Sequence, residues 1–111
     1  MIFTSGSNQR PFFTQSVYRF MLNEEPLLSS ATITVHTRRL KSENVVGWQQ
    51  QEDTNEFLID VERTLSKSEF ILTLMHELVH CRQSLEGLMN HKKREEEAYH
   101  LEKVYFDKFS V

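Results

Sequence analysis

His76-Glu77-Leu78-Val79-His80 is the stretch of this chain whose residue types and spacing name a reaction. On a helix, residues i and i+4 stand one above the other, so imidazoles four apart can reach one metal ion. Glu77 is one step round the helix from His76, which places it beside the ion rather than on it. A carboxylate there can take the proton from a water activated at the metal, the arrangement behind zinc-dependent hydrolysis. Two ligands, His76 and His80, and one general base, Glu77, are therefore expected.

The element that must position them is a bounded helix. From Phe70 to Leu85, the apolar residues Ile71, Leu74, Met75, Leu78 and Leu85 repeat at the spacing of one helical face. The two histidines fall on a neighbouring face with Thr73 and Glu77. Ser66 or Ser68 can cap its start, with Glu69 completing a capping box from Ser66, and Gly87 stands where a left-handed residue would end it.

Catalytic zinc has three protein ligands and keeps its fourth position open. The run Arg94 to Glu102 opens a second helix, whose inward face passes through Ala98, Leu101 and Tyr105. Projected back one turn, the nearest carboxylate is Glu95, the preferred third ligand. Glu96, Glu97 and His91 are the alternatives. For Glu96 and Glu97, acidic residues solvated at a helix N-terminus are sufficient explanation.

An H-E-x-x-H helix followed by a helix carrying E-x-x-A resembles the gluzincin branch of the zincin metallopeptidases. Here the matching residues are His76, Glu77 and His80, with Glu95 through Ala98. The short spacing is similar to the minimal members of that branch, including small phage-encoded H-E-x-x-H proteins. The resemblance spans Phe57 to Glu62 and both helices, roughly half of the chain. It implies a Zn2+ cofactor, a peptide or protein substrate, Glu95 as third ligand, and a strand before the metal helix lying along the cleft edge. Many gluzincins carry Asp or Asn directly after the Ala, to orient a zinc-bound His; Tyr99 stands there in this chain. Tyr99, His100 and Arg82 are candidate oxyanion or supporting residues. The competing function is a zinc-stabilised binding module on the same scaffold. The presence of Glu77 favours catalysis, because a structural site needs no base.

Composition sets the outer limits. The 111 residues, 39% hydrophobic and 26% charged, fit one globular domain over 1–111. No apolar run is long enough for a membrane span, and the N-terminus lacks the order of a signal peptide, so a cytoplasmic protein is expected. Cys81 is the single cysteine, which rules out an internal disulfide and leaves a buried structural thiol. A net charge of −3 gives no basis for nucleic-acid binding.

Ahead of the metal helix, residues 1–13 read as an irregular or extended arm, with Phe12 and Phe13 able to dock. Thr14 reads as the cap of a helix that stops before Pro26. Strands are expected at Ala31–Leu40, Val45–Gln51 and Glu56–Glu62. The predicted fold is α+β: an N-terminal helix, a three-stranded antiparallel sheet, then two packed helices carrying the site. Trp48, His36 and Gln49 to Gln51 are weak candidates for cleft lining, with a buried aromatic and an exposed strand face as the simpler assignment.

Overall fold

The computed structural model describes residues 1–4, 10–40 and 44–109. In chain order these form β1 (Ile2–Thr4), α1 (Pro11–Glu24), a 3-10 turn (Pro26–Ser30), β2 (Thr32–Arg38), β3 (Gly47–Asp53), β4 (Glu56–Glu62), α2 (Lys67–Glu86) and α3 (His91–Lys108). The sheet order is β1-β2-β4-β3, with β2 parallel to both β1 and β4, and β3 antiparallel to β4.

The α+β class with two C-terminal helices is as expected, but the rest of the predicted architecture is overturned. The chain starts with a strand rather than a helix, and the sheet is mixed and has four strands rather than three. β1 is only three residues long, too short to show an alternation; it is held through Ile2, buried, and through the Met1 amino group, which donates to the Ala31 carbonyl at 2.7 Å. The parallel β2–β4 pairing escaped because period-two alternation reports which face is buried and is the same for either strand direction. The hairpin turn Thr54-Asn55 returns β4 to the middle of the sheet beside β2, leaving β3 at the edge. The strand directly before α2 is thus interior, and β3 lies at the sheet edge, a choice the sequence left open.

The expected arm over 1–13 is extended at its start and gives way to helix at its end. Residues 2–4 are β1, residues 11–13 open α1, and 5–9 lie outside the described residues. Pro11 starts α1 because its fixed φ and missing N–H suit the first helical position. Thr14 is therefore inside the helix and buried, its Oγ1 donating back to the Arg10 carbonyl at 3.0 Å.

Ile33 and Val35 of β2, and Phe57, Ile59 and Val61 of β4, join Leu74, Met75 and Leu78 of α2 in one hydrophobic cluster. That packing carries α2 across the sheet, and the helix has the boundaries read from sequence. Ser66 Oγ accepts from the Glu69 amide at 3.2 Å while Glu69 Oε1 accepts from the Ser66 amide at 3.0 Å. Gly87 closes the helix with φ 77°. Asn90 caps α3 by accepting from the Lys93 amide at 3.0 Å, so His91 is the first residue of that helix rather than part of a swinging connection. Ala98 is fully buried in the hydrophobic cluster as α3 packs on α2, and its small side chain permits close approach of the two helices. Among the described residues, no helix is long and apolar enough to cross a membrane.

Candidate metal centre

One turn of α2 separates His76 from His80, and α3 brings Glu95 against both. His76 Nε2 and His80 Nε2 are 3.0 Å apart, and the Glu95 carboxylate lies 3.5 Å from the first and 2.8 Å from the second. These three are the group of potential metal ligands among the described residues whose donor atoms all fall within 4.8 Å of one another. Around a metal ion with bonds of about 2.1 Å, tetrahedral ligand atoms stand about 3.4 Å apart, so the separations suit a small divalent cation.

Hydrogen bonding on the far side of each ring explains why these nitrogens face inward with free lone pairs. Glu102 Oε1 lies 2.8 Å from His76 Nδ1, and Gln83 Oε1 lies 2.7 Å from His80 Nδ1. The Gln83 amide has a defined orientation, because its NH2 group donates to the Arg94 carbonyl and to Glu97 Oε1, both at 2.9 Å. Its oxygen is therefore the atom presented to His80. Acceptors at both Nδ1 positions place the protons there and leave both Nε2 atoms as acceptors. Two imidazole lone pairs and a carboxylate then converge with no donor between them, a set that calls for a cation. Burial pushes the His80 imidazole below its ordinary pKa, which also favours the neutral, ligating form.

Glu77 is buried beside this set. The β3 backbone crosses it at Gly47, where a Cβ would meet Glu77 Oε2 at 2.8 Å and Thr73 Cγ2 at 2.6 Å. Burial raises the Glu77 carboxyl from 4.5 to about 8; repulsion from Glu95 and Glu102 adds to this and Arg94 opposes it. In the metal-free protein Glu77 therefore keeps its proton to higher pH than an ordinary carboxyl. The three ligands and Glu77 line one cleft of about 870 Å³, walled by residues 44–49 on one side and by the start of α3 on the other.

The structure separates the other sequence candidates. Tyr99 lines the cleft and its ring packs on His76 at 4.7 Å between centroids. The Tyr99 ring is tilted 58° to the imidazole, and the partner of the His76 ring nitrogen is Glu102. Arg82 does not face the cleft: it is buried and pairs with Glu25 and Glu86 at 2.8 Å and Glu97 at 2.9 Å, tying α1, α2 and α3 together. His100 is exposed and outside the cleft lining. Glu96 is exposed, Glu97 is engaged with Arg82 and Gln83, and His91 is on the cleft wall outside the ligand group. Trp48 is half exposed on the cleft wall rather than buried, and Gln49 joins it, whereas His36 does not. Cys81 is fully buried, and burial pushes its thiol up.

Glu102, Gln83, Arg94 and Gly47 were missed as parts of the site. Glu102 had a signal, since it follows Glu95 by seven residues and so repeats its helical face two turns on. Arg94 fastens the ligand helix to α2 by donating to the carbonyls of His80 and Leu88, each at 3.2 Å, and to Ser84 Oγ at 3.1 Å. Nothing in the local pattern announces that role. Comparison of the chain with protein-family models, curated proteins and solved structures finds no match in any of the three.

Proposed function

We propose that the protein is a zinc-dependent metallopeptidase of gluzincin type. The reading is carried by one observation: a buried carboxylate, Glu77, stands beside a His76, His80 and Glu95 ligand set inside a cleft with room for substrate. When bound there, zinc supplies Lewis acidity toward a peptide carbonyl and lowers the pKa of water. Glu95, His76 and His80 would hold the ion, and Glu102 and Gln83 keep the Nε2 atoms of the two imidazoles turned toward its place. Glu77 Oε accepts the proton of the attacking water and passes it to the leaving amine. β3, with no strand on its outer side among the described residues, offers backbone groups to an extended substrate.

A specific observation favours the second reading, a zinc-stabilised binding module. Of the three proposed oxyanion residues, Arg82 and His100 are placed elsewhere, leaving Tyr99 alone at the cleft. Native mass spectrometry of the wild type and Glu95→Gln tests the centre. One zinc in the wild type, weakened in the variant, supports the ligand set; no zinc in either rejects both readings. Hydrolysis of a peptide pool by zinc-loaded wild type but not by Glu77→Gln supports the peptidase. Stoichiometric zinc without hydrolysis selects the binding module.

A further inference from the structure

Gln83 of α2 is fully buried against α3, so both ends of its amide must find partners within the protein. Its oxygen meets His80 Nδ1 at 2.7 Å, and its NH2 group meets the Arg94 carbonyl and Glu97 Oε1, both at 2.9 Å. An amide turned end for end fills the same space, so shape alone does not choose which end faces the imidazole. Hydrogen bonding must choose it.

Glu97 Oε1 accepts twice, from Gln83 Nε2 and, also at 2.9 Å, from Arg82 Nη2. One carboxylate oxygen thus lies between two donors. The guanidinium is fixed from elsewhere by Glu25 and Glu86, each at 2.8 Å. With no acceptor at position 97, that cation would act on Gln83 directly, attracting the oxygen end of the amide and repelling its NH2 end. An amide turned toward Arg82 in this way presents NH2 to His80 Nδ1. The imidazole must then accept at Nδ1 and carry its proton on Nε2, which leaves no lone pair there for an ion.

We propose that Glu97 is a positioning residue of the metal centre: held by Arg82, it fixes the direction of the Gln83 amide and, through it, the Nε2 lone pair of His80. The proposal rests on the His76, His80 and Glu95 ligand set and not on peptidase activity. Glu97 is then more than the solvated acid at a helix start that its residue type alone suggests.

Two variants separate orientation from charge. Glu97→Gln keeps an oxygen able to accept from both donors and removes the charge; Glu97→Leu removes both. Zinc affinity of the full chain is measured by chelator competition, and the direction of the Gln83 amide by nuclear Overhauser contacts of its NH2 protons in the metal-free proteins. Glu97→Leu should weaken zinc about tenfold, the scale of losing the partner of a metal-bound His, and Glu97→Gln should recover to within about threefold of wild type. The Gln83 NH2 protons should lie near the Arg94 backbone in wild type and Glu97→Gln, and near the His80 ring in Glu97→Leu. If Glu97→Leu does not fold, Glu97→Met carries the same expectations. Equal weakening in both variants assigns the effect to charge and overturns the proposal, as does unchanged affinity in Glu97→Leu or an amide that keeps its direction there. Absence of zinc from the wild type overturns the ligand set and this role with it, whereas zinc binding without hydrolysis, with the two variants behaving as stated, sustains the role and removes only the peptidase reading.

Discussion

The Gly47 backbone lies against the Glu77 carboxylate so closely that no side chain fits between them. A Cβ there would come within 2.8 Å of Glu77 Oε2 and 2.6 Å of Thr73 Cγ2. The edge strand thereby closes one side of the base's surroundings, and the absence of a side chain at position 47 is what allows it.

Gly47→Ala should accordingly displace Glu77 and push β3 off α2. The expected result is a lower Tm and a kcat at least tenfold down, with one zinc still bound. Combining Gly47→Ala with Thr73→Ser removes the methyl clash alone, so Tm should recover while kcat stays low. Recovery of both would mean that Gly47 matters for packing and not for the placement of Glu77.

Glu102 bonds His76 Nδ1 from two turns beyond Glu95. Glu102→Leu should weaken zinc about 10- to 100-fold, the usual cost of removing the partner of a metal-bound His. Chelator competition measures it. Glu96→Gln, an exposed neighbour on the same helix, should leave the affinity unchanged.

The proton on Glu77 makes metal-free stability depend on pH. Its folded pKa of about 8 lies above the ordinary 4.5, so the folded state binds the proton more tightly than the unfolded chain. That contribution is fully present below pH 4.5 and is lost as pH rises to about 8. Between those limits metal-free wild type should fall relative to metal-free Glu77→Gln, by on the order of a few kcal/mol. Denaturant melts of the pair at pH 5 and pH 9 check the sign; a difference that does not change with pH removes the assignment.

Arg82 is a structural cation. Its pairs to Glu25, Glu86 and Glu97 join the end of α1 to α2 and α3, and Tyr105 donates its hydroxyl to the same Glu25. Arg82→Ala leaves buried Glu25 with the Tyr105 hydroxyl but no compensating charge, and should cost about 3 kcal/mol of stability. Zinc stoichiometry should be retained at temperatures where the variant is folded. A large kcat loss without destabilisation would return Arg82 to the oxyanion role.

Features set within one or two helical turns are legible in the chain before it folds. The His76, Glu77 and His80 constellation, the Ser66–Glu69 capping box and the Gly87 stop depend on backbone geometry that repeats every few residues, so spacing alone specifies them. The inward face through Ala98 was readable for the same reason, and it pointed to Glu95. Features that depend on segments meeting from far along the chain became visible in the fold. The parallel pairing of β2 with β4, the seating of Gly47 over Glu77 and the loss of Arg82 to Glu25 are of this kind. So is the choice of Glu102 and Gln83 as partners for the imidazoles, because a polar side chain carries no mark of which acceptor or donor it will find until packing brings one within reach.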